Sequence, residues 1–255
     1  MARTILTAEQ LVRHYGGVAA VSDLSFAVDE GSITALIGPN GAGKTTTLNM
    51  ISGLTPPTSG QIEIEGRQIV GLRSDEICRL GVARTFQTPQ IFRSMSLLEN
   101  VLVGTTPIGK ISLSATALGG SRMRDEERKL ITQAKELLDF VGLKLVTDKL
   151  ISELPFGQIR LAEIARALAS RPKLILMDEP ASGLSRAEME KLRELLQQIR
   201  EFAITILLVE HNMPLVMSTA DHVLVLDKGQ LLASGPPSTI QADPRVRQAY
   251  LGVAG

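Results

Sequence analysis

The chain has 255 residues, with 27 basic side chains, 27 acidic side chains and no tryptophan. At about 150 residues per domain, this length predicts one large domain or two small ones. The hydrophobic fraction of 44% and the charged fraction of 21% are typical of a globular protein and exclude a disordered one. The zero net charge argues against a dedicated nucleic-acid binder, and the single cysteine, Cys78, excludes an internal disulfide framework.

The first residues contain no apolar run of the kind that a secretory signal needs. No stretch of the sequence reaches the roughly 18 apolar residues of a membrane-spanning helix. The longest apolar runs are residues 33–37, 174–177 and 204–209, which we expect to be buried strands. If the protein works at a membrane, other subunits must therefore supply the membrane spans.

The first 30 residues contain short stretches that are typical of β-strands. The apolar run over residues 33–37 ends at Gly38 and predicts a strand buried on both faces. A glycine-rich turn follows, and then TTTLNMISGL predicts a helix. Residues 54–66 predict a turn and an alternating strand.

Residues 88–160 differ in character, and we interpret them as a mostly helical insertion. MSLLENVLVG is apolar and periodic, whereas residues 104–121 are rich in Gly, Ser and Thr and predict a loosely ordered excursion. RDEERKLITQAKELLDFVGL then predicts a helix. Its apolar stripe contains Leu130, Ala134, Leu137, Leu138 and Val141.

From Leu161 onward, predicted helices and strands alternate. Strands are expected at residues 174–177, 205–209 and 223–226, and Asp227-Lys228-Gly229 predicts a hairpin turn. This alternation predicts an α/β fold with a parallel sheet that has helices on both faces. The tail, PPSTIQADPRVRQAYLG, is expected to form a short appended helix.

Residues 38–45, GPNGAGKT, match the phosphate-binding pattern GxxxxGK[ST] and lie between a predicted strand and a predicted helix, as this motif requires. Glycines let backbone N–H groups approach phosphate oxygens, and the helix N-terminus adds partial positive charge. Lys44 supplies a full charge, and the Thr45 hydroxyl can bind Mg²⁺; the alternative is a chance glycine turn. The candidate nucleotide-binding residues are Gly38, Pro39, Asn40, Gly41, Ala42, Gly43, Lys44, Thr45 and Thr46.

Two adjacent acids, Asp178 and Glu179, end the apolar stretch LILMDE. Open α/β sheets bind their ligands at the carboxyl ends of the strands. Asp178 is the candidate Mg²⁺ ligand, and Glu179 is the candidate to orient or deprotonate an attacking water. Taken alone, two such acids are better explained as an ordinary solvated strand end than as a functional site. In an α/β chain that also contains a phosphate loop, they indicate a nucleotide site.

Three further side chains are ambiguous when each is taken alone. His211 follows an apolar strand and is a candidate contact for the γ-phosphate or the attacking water, with an ordinary surface histidine as the alternative. Gln87 has a carbonyl that can bind Mg²⁺ or water and an amide that donates. Tyr15, one of two tyrosines, is a candidate to stack on adenine or to pack in the core.

The sequence contains seven motifs in this order: Tyr15, GPNGAGKTT, Gln87, LPFGQIRLAEIARAL, LILMDEP, ASGLS and His211. The ATPase subunits of ABC transporters have the same order, and the chain resembles them over essentially its whole length. The resemblance implies a P-loop NTPase fold of the ABC ATPase type, a single domain over residues 1–255. Its nucleotide-binding α/β core would cover residues 1–87 and 161–255 and include an N-terminal antiparallel β subdomain. A helical subdomain over residues 88–160 would contact a membrane subunit.

The resemblance also implies ATP and Mg²⁺ as cofactors and assigns roles to single residues. The catalytic residues would be Glu179, His211, Gln87 and Lys44, and the metal would be bound by Thr45, Gln87 and Asp178. Tyr15 would stack on adenine. The signature motif at residues 154–158 would contact the nucleotide of a second chain through Pro155, Phe156, Gly157 and Gln158.

Two positions depart from the family pattern. The signature usually begins Leu-Ser, but this chain has Leu154-Pro155, and proline lacks both the hydroxyl and the backbone N–H at this position. In the D-loop at residues 181–185, Ser185 stands where the family commonly has Asp or Asn, so it can donate or accept a hydrogen bond but cannot form an ion pair.

Three short sequence motifs resemble those of the ATPases of branched-chain, or hydrophobic, amino-acid importers. They are ARTFQ over residues 83–87, VEHNM over residues 209–213 and the terminal AYLG. Importers of urea or short amides share much of this pattern and remain an alternative. A non-transport ABC ATPase fits less well, because the chain has one cassette, no heptad run and zero net charge. A kinase or GTPase fits less well, because the chain lacks an NKxD motif and a kinase would not need LPFGQ. The presence of Glu179 and His211 argues against a purely regulatory module.

The resemblance implies three kinds of partner and no nucleic acid. They are a second ABC ATPase subunit, identical or paralogous, integral membrane permease subunits and, indirectly, a periplasmic or extracellular solute-binding protein. The expected location is peripheral, on the cytoplasmic side of the bacterial inner membrane. The apolar stretch over residues 95–103 is the candidate docking surface, with ordinary core packing as the alternative.

Overall fold

The computed structural model describes residues 3–105 and 121–251. In chain order, its helices and strands are β1 (Thr4–Tyr15), β2 (Val18–Asp29), β3 (Ile33–Ile37), α1 (Lys44–Ile51), β4 (Ser59–Ile64), β5 (Arg67–Gln68), α2 (Ser74–Arg79), β6 (Val82–Arg84), α3 (Leu97–Val103), α4 (Ser121–Phe140), α5 (Phe156–Ala169), β7 (Leu174–Asp178), α6 (Arg186–Glu201), β8 (Thr205–Val209), α7 (Met213–Thr219), β9 (His222–Asp227), β10 (Gln230–Gly235), α8 (Pro237–Ala242) and α9 (Pro244–Leu251). Most of the predicted excursion over residues 104–121 lies outside the described residues.

The central sheet has the strand order β10-β9-β3-β8-β7-β6. The neighbours from β9 to β6 are parallel, and β10 pairs with β9 in the antiparallel sense. Every residue of β3, β7 and β8 is buried, which explains their continuous apolar sequences. Lys228 and Gly229 have φ angles of 48° and 81° and form the predicted hairpin turn between β9 and β10.

A second, antiparallel sheet has the order β2-β1-β4-β5 and forms the predicted N-terminal β subdomain. Its apolar face packs on the central sheet and on α1, in one cluster that includes Leu11, Ile62, Leu36 and Leu176. This packing holds the β1–β2 hairpin close to the turn that follows β3. Ser22 donates its backbone N–H to the Gly229 carbonyl at 2.8 Å, which fixes β2 against the β9–β10 turn.

Helices α3, α4 and α5 pack together on the opposite face of the central sheet. Of the predicted stripe on α4, Ala134 and Leu138 are fully buried in this cluster. Leu97 and Val101 of α3 are also fully buried, so at these two positions core packing is the correct interpretation of the apolar stretch. The domain boundaries at residues 87/88 and 160/161 remain a prediction, and the second of them falls inside α5.

Helix starts follow the capping residues in the sequence. Ser96 and Ser185 cap α3 and α6 in capping boxes with Glu99 and Glu188, and Asn212 caps α7. The prediction of a single helix for the tail was wrong, because the tail forms two helices, α8 and α9. Asp243 lies between them with ψ of 118°, and the proline that follows it disfavours a helical conformation there.

Within residues 3–105 and 121–251, no helix combines the length and the apolar character that crossing a bilayer requires.

Candidate active site

The phosphate loop lies between β3 and α1, as the sequence predicts. Gly38, Gly41 and Gly43 have φ angles of 153°, 81° and 99°, in the region that favours glycine. A Cβ atom on Gly38 would lie 2.2 Å from the Leu226 carbonyl oxygen, and one on Gly43 would lie 2.5 Å from the Ala20 carbonyl oxygen. Glycine is therefore required at residues 38 and 43 both for backbone conformation and for space.

Lys44 is buried at the first position of α1 and folds back over the loop. Its Nζ donates to the carbonyl oxygens of Gly38 and Pro39 at 2.8 and 2.9 Å. Burial lowers the pKa of Lys44, and the carboxylates of Glu179 and Asp178 oppose this change. The ammonium group thus lies at the loop, within the electrostatic influence of both candidate acids.

The remaining motifs lie at the same edge of the sheet as the loop. Strands β3, β8, β7 and β6 are consecutive and parallel, so their carboxyl ends meet at one edge. The phosphate loop follows β3, His211 follows β8, Asp178 and Glu179 end β7, and Gln87 follows β6. The topology therefore gathers residues that are up to 173 positions apart in the sequence, from Gly38 to His211.

Asp178 is almost fully buried and makes an ion pair that sequence reasoning missed. Its Oδ2 lies 3.3 Å from Nη2 of Arg84, whose Nη1 donates to Ser52 Oγ at 2.7 Å. Burial raises the pKa of Asp178, and Arg84 opposes this change. Arg84 lies within the ARTFQ string, and a charged residue on a buried strand was the signal that could have identified it.

The surroundings of Asp178 fit a Mg²⁺ ion. Its Oδ1 is buried and has no hydrogen-bond partner among the described residues. The described part of the chain contains no cluster of three or more His, Cys, Asp or Glu side chains that could hold a metal. A site with one carboxylate and the Thr45 hydroxyl suits Mg²⁺, which takes few protein ligands and completes its shell with phosphate and water oxygens.

Glu179 is the point at which three predicted catalytic side chains meet. Its Oε2 accepts a hydrogen bond from Gln87 Nε2 at 2.8 Å and lies 3.7 Å from His211 Nδ1. Its backbone has φ of 48°, and its N–H donates to the Val209 carbonyl at 2.9 Å. A left-handed glutamate at a strand end is a strained conformation of the kind concentrated at functional sites.

Glu210 is a further residue that sequence reasoning missed. It is fully buried between β8 and His211, and burial raises its pKa. Its Oε1 accepts the Ala181 N–H at 2.7 Å, and its Oε2 accepts the His211 N–H at 3.1 Å. Glu210 therefore ties the start of the predicted D-loop to the backbone of His211. Glu210 could have been identified from the sequence, because it is an acid at the end of an apolar strand, as Asp178 is.

Tyr15 lies at the end of β1, where 45% of the residue is exposed and the Arg13 guanidinium carbon is 4.6 Å from the ring centroid. The β1–β2 hairpin that carries Tyr15 lies next to the phosphate loop. The Ala20 carbonyl oxygen in this hairpin is so close to Gly43 that a Cβ on Gly43 would lie 2.5 Å from it. Tyr15 is therefore an exposed aromatic side chain on an element next to the phosphate loop. Its stacking on adenine remains a prediction.

The signature residues lie beside the predicted D-loop, where a Cβ on Gly183 would lie 3.1 Å from the Phe156 ring. Pro155 is the N-cap of α5, and its carbonyl accepts the Gln158 N–H at 2.9 Å. No hydrogen bond or ion pair between described residues joins the segment 154–158 to the phosphate loop. Phe156 is 45% exposed, whereas Gly157 is buried against α6. Within the described part of one chain, the signature is therefore not bonded to the phosphate loop.

A phosphate loop, a buried aspartate and a neighbouring glutamate at one edge of a parallel sheet define a P-loop nucleotide-binding protein. The family model described as "ABC transporter" matches residues 21–182, and the one described as "Branched-chain amino acid ATP-binding cassette transporter" matches residues 230–255. The chain belongs to the ABC transporter family.

The curated relatives match over full length. The high-affinity branched-chain amino acid transport ATP-binding protein BraF of Pseudomonas aeruginosa is 39% identical, and LivG of Escherichia coli K12 is 37% identical. Both alignments cover 100% of each chain. A probable branched-chain amino acid transport ATP-binding protein LivG of Archaeoglobus fulgidus is 34% identical, over 97% of this chain and 95% of the relative.

Solved structures give the same fold. A nucleotide-free ATP-binding cassette from an ABC transporter is 33% identical with a TM-score of 0.85, over 97% of this chain and 98% of that one. The ADP conformation of the ATP-binding cassette MJ1267 is 32% identical, also with a TM-score of 0.85, over 98% and 99% of the two chains. The predicted ABC ATPase fold is therefore confirmed.

Proposed function

We propose that this chain is the ATP-hydrolysing subunit of an importer for branched-chain or other hydrophobic amino acids. The observation that carries the proposal is the convergence of Gln87 and His211 on one oxygen of Glu179, at the sheet edge that holds the phosphate loop. The names of the full-length relatives support the class of solute. Urea or short amides remain the alternative solutes.

The hydrolytic step follows from the placement of these residues. The loop N–H groups and Lys44 bind the phosphates of ATP and stabilise the charge of the transferring phosphoryl group. Thr45, Asp178 and Gln87 would hold Mg²⁺, which would supply positive charge to the phosphates of ATP. Glu179 orients the attacking water or accepts its proton, and His211 lies on the same side of this carboxylate.

A second ABC ATPase chain would complete each nucleotide site. Because the signature residues Pro155, Phe156, Gly157 and Gln158 do not reach the phosphate loop of their own chain, they are available to the nucleotide of a partner. The N-terminus of α5 would then present its N–H groups to that nucleotide. Pro155 provides no hydroxyl and no N–H, so Gly157 and Gln158 would make these contacts.

The permease would dock at the side of the molecule where the helices meet β6. A cleft of about 260 Å³ lies there, lined by residues from α2, α3, α5 and β6 that include Cys78, Phe86, Val103 and Arg166. Phe86 precedes Gln87 directly, so an inserted permease loop would act on the segment that contacts Glu179. In this proposal the chain would be a peripheral subunit on the cytoplasmic side of the inner membrane.

The test is ATP hydrolysis by the purified chain with Mg²⁺, alone and together with its permease subunits in liposomes. The proposal expects hydrolysis in the complex that increases when a solute-binding protein presents leucine, and the Lys44→Ala variant serves as the inactive control. Stimulation by urea or acetamide instead of leucine would favour the alternative solutes. No hydrolysis in either preparation would reject the function.

A further inference from the structure

We infer that the buried ion pair Arg160–Glu163 on α5 is a clamp that sets the position of Gln87. The inference rests on the ATPase function proposed above, because the amide of Gln87 contacts the catalytic candidate Glu179. Both members of the pair are positioning residues, which act on the reacting groups through Gln87. Sequence reasoning missed them, although Arg160 lies on the apolar stripe of α5, four residues before the fully buried Ile164.

Arg160 binds the carbonyl groups of the segment that carries Gln87. Its Nη1 donates to the Phe86 oxygen and its Nη2 donates to the Gln87 oxygen, both at 2.7 Å. The side chain of Arg160 is 1% exposed. A planar guanidinium with two donors in fixed directions suits this paired contact, which an ammonium group cannot reproduce.

Glu163 binds the amide groups of the same segment. Its Oε1 accepts the N–H of Phe86 at 3.1 Å and the N–H of Gln90 at 3.4 Å, and its Oε2 lies 3.4 Å from Arg160 Nη1. Burial raises the pKa of Glu163, and these N–H groups and Arg160 oppose this change. The pair thus satisfies four backbone groups of residues 86–90, two carbonyls and two amides.

A buried ion pair is a weak source of stability, because removing two charges from water costs several kcal/mol per ion. Apolar residues of similar volume would fill the same space on α5 but would leave the four backbone groups unpaired. What the pair supplies beyond packing is a defined position for residues 86–90 relative to α5. This is the property that a coupling element requires.

The clamp connects two predicted motifs, the signature and the segment that carries Gln87. Arg160 follows the signature residue Gln158 by two positions, and its guanidinium carbon lies 5.2 Å from the ring centroid of Phe156, which is also in the signature. From Arg160 the path continues to the Gln87 backbone and from Gln87 Nε2 to Glu179 Oε2. A rigid displacement of α5 therefore moves Gln87 with it. In a pair of chains, the signature would face the partner's nucleotide, so the clamp would couple the two sites.

The test uses Glu163→Gln and Arg160→Lys in the full chain, with Glu190→Gln and Arg193→Lys as matched controls. Glu190 and Arg193 form an ion pair with the same i,i+3 spacing on α6, but both are partly or fully exposed and their side chains bond to each other and not to the segment 86–90. Two quantities are measured: hydrogen exchange of the backbone amides over residues 86–90 without nucleotide, and kcat and KM for ATP hydrolysis.

The clamp predicts exchange that is about tenfold faster over residues 86–90 in either clamp variant, the effect of losing one hydrogen bond to a charged group. It predicts a kcat lower by about tenfold or more with KM within about twofold, since Gln87 loses its position while the phosphate loop stays intact. The control variants should match the wild type in both measurements.

Unchanged exchange over residues 86–90 would overturn the clamp, and so would faster exchange there with an unchanged kcat. Equal acceleration across β3 and β8 would also overturn it, because the pair would then support the core in general. The milder Glu163→Gln variant keeps the test available if Arg160→Lys does not fold. If the wild type hydrolyses no ATP either alone or with its permease subunits, the proposed function fails, while the exchange measurement still decides whether the clamp exists.

Discussion

Arg84 Nη2 lies 3.3 Å from Asp178 Oδ2, and the two side chains are 7% and 3% exposed. The Arg84 guanidinium also lies 4.9 Å from the centroid of the Phe86 ring and bonds to Ser52. The candidate metal-binding carboxylate therefore has a permanent counter-charge from the neighbouring strand β6. Oδ1 of Asp178 is buried and has no hydrogen-bond partner among the described residues, so it is the oxygen that would be free to bind Mg²⁺.

Replacing Arg84 by Met should destabilise the chain in the absence of nucleotide and Mg²⁺. The expected loss is about 3–5 kcal/mol of unfolding free energy, because Asp178 would be left as an uncompensated buried charge. Urea unfolding measures the loss, and Asp178→Asn in the same chain should restore much of it. Arg79→Met is the control, since Arg79 pairs with Asp75 on the surface. Equal urea midpoints for Arg84→Met and the wild type would contradict this account of the pair.

Tyr15→Ala should weaken ATP binding while Tyr15→Phe preserves it. A base stacked on an aromatic ring contributes about 1–3 kcal/mol by alanine substitution, and phenylalanine keeps the ring. Since stacking does not depend on the hydrogen-bonding edge of the base, affinity should change more than the preference for ATP over GTP. Calorimetric titration with both nucleotides gives these values, and an ATP dissociation constant unaffected by Tyr15→Ala would reject the stacking role.

Gly157→Ala should disturb the signature through Glu188. A Cβ on Gly157 would lie 2.1 Å from Glu188 Oε1, so Glu188 must leave its capping box with Ser185. Loss of this cap costs about 1 kcal/mol in urea unfolding, with ATP affinity of the isolated chain unchanged. In a chain that already carries Glu188→Ala, the glycine substitution should cost little more. Additive losses in the double variant would show that Glu188 is not the residue displaced.

Cys78 reports on the proposed docking cleft. Burial raises the pKa of this thiol, so less thiolate is present at neutral pH than for a free cysteine. Alkylation should therefore be slow at neutral pH and should still accelerate with pH where the rate for a free cysteine has levelled off. Iodoacetamide labelling followed by mass spectrometry measures the rate without ambiguity, since the chain has one cysteine. Assembly with the permease should protect Cys78, and an equal rate in the free and assembled chain would place the docking surface elsewhere.

The sequence predicted the features that depend on local pattern. Residues 33–37 and 174–177 form buried strands, as their apolar sequences predict, and the phosphate loop requires glycine at residues 38 and 43. The order of the motifs then predicted the family and the fold, and both are confirmed. The tail forms two helices instead of the predicted one, because Pro244 disfavours a helical conformation at Asp243.

The features that sequence reasoning missed depend on contacts between distant segments. Arg84 pairs with Asp178 across 94 positions, and Arg160 binds Gln87 across 73. Charged residues are mostly exposed, so an isolated sequence favours a surface position for each of them. Their burial follows from the parallel pairing of β6 with β7 and from the packing of α5 on the segment after β6, which a local pattern does not specify.

The central claim is that Glu179 activates the water that attacks ATP. The most direct measurement is steady-state ATP hydrolysis by Glu179→Gln in the permease complex, together with its ATP affinity. The account predicts a fall in kcat of about 10²–10⁴-fold, with ATP binding preserved and the paired, nucleotide-bound state of the chain accumulating. Hydrolysis by Glu179→Gln at the wild-type rate would contradict it.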